Sequence, residues 1–123
     1  MTQRVVITGM SGVTSLGSNW QDIINNIFQK KTGIRIMESW KSIDGLHTCL
    51  GGPILDFSLP EHYTRKKIRS MGRVAQLSTL ASEAALTDAN LLQHQDLISS
   101  GRMGVAYGSC SGSSSPMADL AII

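Results

Sequence analysis

The sequence predicts an α/β chain, and three observations carry the prediction. Two short apolar runs, residues 4–8 and 103–107, each lead into a glycine-rich turn. Between them, residues 73–90 repeat small apolar side chains at helical spacing. The order along the chain is strand, turn, helix, loop, helix, strand, turn, helix, which belongs to α/β proteins rather than to an all-helical or all-strand class.

Each element has its own warrant. Arg4-Val-Val-Ile-Thr8 is a short β-branched run and reads as a buried strand. Gly9, Gly12 and Gly17 punctuate the turn that follows. Ser18 is the expected N-cap of a helix over about residues 19–29, with Trp20, Ile23, Ile24, Ile27 and Phe28 on one face. Lys30 and Lys31 suit the negative end of that helix. Residues 33–53 are weakly periodic and read as loop with short strands, turning at Gly51-Gly52-Pro53. Residues 56–60 lead into a short basic helix. In residues 73–90, Val74, Leu77, Ala81, Ala84 and Ala85 form a narrow face of small side chains, which predicts a central, buried helix that packs closely. Asn90 to Gly101 reads as loop, residues 103–107 as a second buried strand, and Gly108 to Ser115 as a Gly/Ser turn. Pro116 then opens a helix, where its missing N–H costs nothing.

Bulk properties exclude several classes. The 123 residues have the length of one small domain, 41% of them hydrophobic and 16% charged. A net charge of +2 does not imply nucleic acid. No apolar run approaches the roughly 18 residues of a membrane span, and the start lacks a secretory pattern. Cys49 and Cys110 have no metal or CxxC spacing and fit unpaired thiols in a reducing cytoplasm. His47, His62 and His94 show no ligand spacing, so no metal site is expected and each reads as solvated. Met10, Met37, Met71, Met103 and Met117 form no stripe and read as core filler; Trp20 and Trp40 read as packing residues. Two strong strands are too few for an independent sheet. The expectation is therefore the front portion of a larger fold.

Three motifs bear on function. The turn after the first strand has the strand–Gly-turn–helix shape that can cradle phosphate, but Gly9-Met10-Ser11 breaks the dinucleotide fingerprint and no P-loop is present. Its glycines then serve to make room for close packing. The second motif is Arg65-Lys-Lys-Ile-Arg69. Five of the eleven Lys and Arg residues fall between Arg65 and Arg73, and Lys66, Arg69 and Arg73 share the i, i+3, i+7 spacing of one helical face. Such a patch is either a solvated basic helix or a dock for an acidic partner. The third is Gly108-Ser-Cys-Ser-Gly-Ser113, where Cys110 before a helix N-terminus is either an activated thiol or part of a structural turn.

Thr8-Gly9-Met10 with Thr14-x-x-Gly17, the basic segment, the Ala-rich helix and the Gly/Ser turn together resemble the β-ketoacyl-acyl-carrier-protein synthases, the thiolase-fold condensing enzymes. Ser11 stands where that family usually has the second glycine of Thr-Gly-x-Gly. The resemblance implies a thiolase-like, layered α-β-α fold, with residues 1–123 an incomplete first half that stops before the catalytic cysteine. It implies docking of acyl carrier protein by Arg65, Lys66 and Arg69. It places Cys110 and Ser111 at the acyl pocket and dimer interface, Ser111 in a gating position, which makes Cys110 a structural residue. It implies a dimer, of two copies of this protein or with another ketosynthase-like subunit, and a decarboxylative condensation with malonyl-acyl-carrier protein, by a cysteine and two histidines that this chain does not contain. No cofactor is implied beyond the carrier's phosphopantetheine. The fragment alone is expected to be inactive. Two other readings stay open: a non-catalytic partner of chain-length-factor type, for which the small Ser111 leaves room, and a stand-alone α/β binding module.

Overall fold

A computed structural model describes residues 4–114. The helix expected at Pro116 lies outside the described residues. The chain divides into two units: residues 12–58, and residues 4–11 together with 59–114.

In residues 12–58, Thr14 and Gly17 bond to each other through paired backbone contacts of 2.8 and 3.2 Å. Helix α1 follows at Trp20–Phe28. Its N-cap is Asn19 and not Ser18. The Asn19 side chain accepts from the Asp22 backbone N–H at 2.9 Å, and its amide donates to the Asp22 carboxylate at 2.5 Å. Either residue type caps well; the acid at the third helical position selects the residue that can bond it reciprocally. At the other end Lys30 takes a left-handed φ of 54°, and Lys31 N–H reaches Asn26 O at 2.9 Å. These lysines therefore terminate the helix in a Schellman stop instead of occupying its last turn. Of the expected apolar face only Ile23 is buried and Ile24 half-buried; Trp20, Ile27 and Phe28 are exposed.

Strands β1 (Arg35–Ile36) and β2 (Leu50–Gly51) pair antiparallel, Arg35 opposite Gly51 and Ile36 opposite Leu50. Gly51 thus belongs to a strand, although the sequence around it reads as a turn. A short 3-10 helix, Glu38–Ser42, lies between them. A side chain at Gly51 would meet Met37 and the Trp40 ring at 3.0 Å, so both pack on this strand, with Trp40 still partly open to solvent. Ser15 sits against Gly33: a Cβ there would lie 2.5 Å from the Ser15 carbonyl oxygen.

In the other unit, helices α2 (Arg65–Ile68), α3 (Arg73–Asp88) and α4 (Gln95–Ile98) follow one another. Helix α4 occupies part of the expected 90–101 loop. Asn90, at φ 56°, ends α3, with Leu91 N–H bonding Leu86 O at 2.8 Å. The hydroxyls of Ser78, Thr79, Ser82 and Thr87 each donate to the carbonyl four residues back, which satisfies them on a helix that packs closely. Close packing occurs at Gly9, where a Cβ would lie 2.5 Å from Ala85 O and 2.6 Å from Ala89 N. The Asp88 carboxylate accepts from Met10 N–H beside it, at 2.9 Å. The glycine there does make room, as its sequence setting suggests. No residue of α3 is fully buried, however: residues 76–86 are all half-buried, so the helix is partly covered and not the buried central helix its small-residue face predicts.

Residues 4–8 and 103–107 take no regular secondary structure and join no ladder among the described residues. Val5, Ile7 and Val105 are exposed at 96%, 82% and 75%. Both were expected as buried strands. β-branched composition specifies a half-buried pleated surface, but a strand also needs a neighbour to take up its N–H and C=O groups. Met10 and Met103 are likewise exposed rather than core filler.

Candidate functional site

The basic segment begins at Thr64, whose extended backbone (φ −62°, ψ 152°) starts α2, and ends at Arg69, whose N–H returns to Arg65 O at 3.0 Å. Arg65, Lys66 and Arg69 are exposed on this single turn. Arg73 is not part of the same face. The chain leaves the helix at Ser70, and Gly72 starts α3, so the i, i+7 relation predicted from spacing is broken. Three cationic side chains on one short turn still present concentrated positive charge to an anionic surface.

Side chains before and after that turn tie it to α3. Tyr63 Oη donates to Glu83, in the middle of α3. His62 Nε2 lies 2.8 Å from the same carboxylate, and its ring packs on Tyr63 at 4.5 Å between centroids. His62 is thus exposed to solvent, as its sequence setting suggests, and also partnered by Glu83. The Tyr63 hydrogen bond, then His62, then the nearby Lys67 ammonium hold the Glu83 carboxyl below its usual range, against the opposing effect of burial. Burial first, and the Glu83 hydrogen bond and charge second, push Tyr63 up to about 12. At the far end, Gln76 Nε2 donates to Met71 O at 2.9 Å. A cavity of ≈ 330 Å³ lies between the segment and α3, lined by His62, Tyr63, Lys67, Glu83 and Leu86 among others. Lys67 lines this cavity while remaining exposed to solvent.

The Gly/Ser turn meets the first half of α3. Gly72 offers no side chain to cap that helix, and Ser113 supplies the cap from 39 residues away, accepting from Val74 N–H at 3.2 Å. Within the turn Gly112 takes φ 60° and donates to Ser109 Oγ at 3.0 Å. Ser82 gives its proton to Ser78 O, so Tyr107 is the donor in the 2.7 Å contact between the Tyr107 and Ser82 hydroxyls. Beside these contacts lies an open cavity of ≈ 430 Å³, lined by Val74, Ala75, Ser78 and Thr79 on the helix and by Tyr107, Gly108, Ser109, Gly112 and Ser113 on the turn. Cys110 and Ser111 stand exposed at the tip of the turn, beside this lining and not in it. Cys110 and Cys49 are both free thiols. His47 is exposed, and His94 begins α4. Among the described residues no three His, Cys, Asp or Glu side chains gather as metal ligands, and no helix is long and apolar enough to cross a membrane.

Glu83, Tyr63 and Ser113 do not stand out in the sequence. Glu83 carried one signal, an acid set within the small-residue helix. Ser113 carried none, because a cap from so far along the chain has no local pattern.

The chain belongs to the family described as Beta-ketoacyl synthase, N-terminal domain, whose model matches residues 2–121. A crystal structure of a β-ketoacyl synthase from Burkholderia phymatum is 46% identical to this chain, with a TM-score of 0.87 over 98% of this chain and 29% of that one. The 3-oxoacyl-[acyl-carrier-protein] synthase 1 of Haemophilus influenzae is 30% identical over 111 residues, 90% of this chain and 26% of that protein. The 3-oxoacyl-[acyl-carrier-protein] synthase 2 of Synechocystis is 28% identical over 107 residues, 86% of this chain and 25% of that protein. The chain thus spans about a quarter of the length of these curated relatives.

Proposed function

We propose that the whole protein is a 3-oxoacyl-[acyl-carrier-protein] synthase that joins an acyl group to a malonyl unit with loss of carbon dioxide, in fatty acid or polyketide synthesis. The observation that carries this reading is the family match across residues 2–121. The layered α-β-α, thiolase-like architecture, the homodimer and a cytoplasmic setting come with the reading.

In this reading Arg65, Lys66 and Arg69 receive the acidic surface of the acyl carrier protein. Complementary charge speeds encounter and fixes register, so the phosphopantetheine arm is delivered in one orientation. Cys110 and Ser111 at the tip of the Gly/Ser turn border the acyl pocket, and the small Ser111 side chain leaves it open. The thiolate that takes the acyl group, and the two histidines that promote decarboxylation and stabilise the developing enolate, are residues other than these 123. The chain alone is accordingly inactive, and radiolabelled acyl-carrier protein should leave it unlabelled.

The test is charge reversal in the intact protein. Lys66→Glu with Arg69→Glu should weaken binding of acyl carrier protein, and the loss should shrink as salt screens the contact over about 10 Å at 0.1 M. Unchanged affinity at low salt would remove the docking role.

A further inference from the structure

We propose that Glu83 is a positioning residue for carrier-protein docking: it clamps the basic turn Arg65–Ile68 onto α3, so that Arg65, Lys66 and Arg69 face the partner as one preorganised surface. The proposal rests on the docking reading above and adds to it the element that holds the dock in place.

A four-residue helix has no stability of its own, since nucleation costs more than so few backbone hydrogen bonds return. Something outside α2 must hold it. Thr64 provides no side-chain cap bond, and no α2 residue is buried. The hold comes from the two residues immediately before Thr64. Tyr63 Oη and His62 Nε2 both reach the Glu83 carboxylate, which is only 27% exposed. Lys67 lines the same cavity as Glu83, whereas Arg65, Lys66 and Arg69 are exposed and take no part in that lining. Gln76 holds the far end through Met71 O. Fixing both ends selects one orientation of the three cations. Without the Glu83 contacts the segment would sample others, and apparent affinity would fall by the fraction of time spent in the competent one.

Glu83 touches no substrate, so its loss should appear only where docking matters. Condensation by the intact protein is compared with two acyl donors: acyl-carrier protein, and an acyl-pantetheine thioester that has no carrier. If Glu83→Ala leaves the competent orientation populated between about a third and a tenth of the time, KM for acyl-carrier protein rises about three- to tenfold. The kcat, and KM for the thioester, stay near wild type. Tyr63→Phe removes one hydroxyl and should shift the same parameter less. Glu83→Gln keeps an acceptor for Tyr63 and should recover most of the loss. Equal losses with both donors would make Glu83 merely structural and overturn the proposal. An unchanged KM in both Glu83→Ala and Tyr63→Phe, while Lys66→Glu with Arg69→Glu still raises it, would overturn the clamp and leave docking standing. An unchanged KM after the charge reversal itself would remove both. If Glu83→Ala does not fold, Tyr63→Phe decides the question alone.

Discussion

Replacing Gly9 by alanine should loosen the C-terminal turn of α3 by about 2 kcal/mol. The estimate follows from three distances. The new methyl would lie 2.5 Å from Ala85 O, 2.6 Å from Ala89 N and 2.8 Å from Ala89 Cβ. Two of these are backbone atoms and the third is fixed to one, so no rotamer change relieves the clash. The turn and the helix must separate by several tenths of an ångström, enough to forfeit a sizeable part of the dispersion contacts along the seam. Overpacking of this kind costs about 1–3 kcal/mol. The seam also carries the Met10 N–H to Asp88 hydrogen bond, at 2.9 Å, which lengthens with it. The assay is native-state hydrogen exchange on the intact protein, read at Ala89, whose N–H bonds Ala85 O at 3.0 Å. A loss of about 2 kcal/mol accelerates exchange there about thirtyfold. Gly12→Ala is the control, since a methyl there would meet only Ile23 Cδ1 at an ordinary 3.7 Å. Equal exchange in the two variants would refute the packing account of Gly9.

Three further outcomes are expected. Ser113→Ala removes the cap on α3 and should cost about 1 kcal/mol, seen as faster exchange at Val74; an unchanged rate would mean that water replaces the serine at no cost. A site-specific NMR label on Tyr63 should titrate near 12 and move down in Glu83→Gln. The folded value lies above the ordinary 10.0, so the Tyr63 contribution to stability is present below 10.0 and is lost as pH rises through about 12. Glu83 has the opposite sign: its folded value is lowered, so its contribution is present above the ordinary carboxylate range and lost as pH falls through the lowered value. Stability that is flat across both limbs would refute this coupling. Ser111→Phe should shorten the acyl chains accepted by the intact protein, measured as product length; unchanged products would take Ser111 out of the pocket.

Much of this chain was legible because its signals are local. Helix α1 announces itself by an amphipathic repeat and a capping residue, and the error of one residue arose because Ser18 and Asn19 both cap. The small-residue run of α3, the glycines of the first turn and the basic turn are all written in adjacent residues. Composition and spacing therefore determined helices α1, α2 and α3 but not α4, together with the charged patch and, with the order of motifs, the family resemblance that residues 2–121 bear out.

Only the tertiary structure decided what depends on residues far apart in sequence. Two β-branched runs, residues 4–8 and 103–107, look like strands, yet they remain unpaired among the described residues, because a ladder is a property of two segments and not of one. Arg73 has the spacing of the basic face but starts another helix. Ser113 caps a helix 39 residues before it, and Glu83 gathers Tyr63 and His62 from about 20 positions away. Short-range periodicity fixes which side chains share a face. Which faces meet is set by hydrogen bonds and steric fit that no local pattern records.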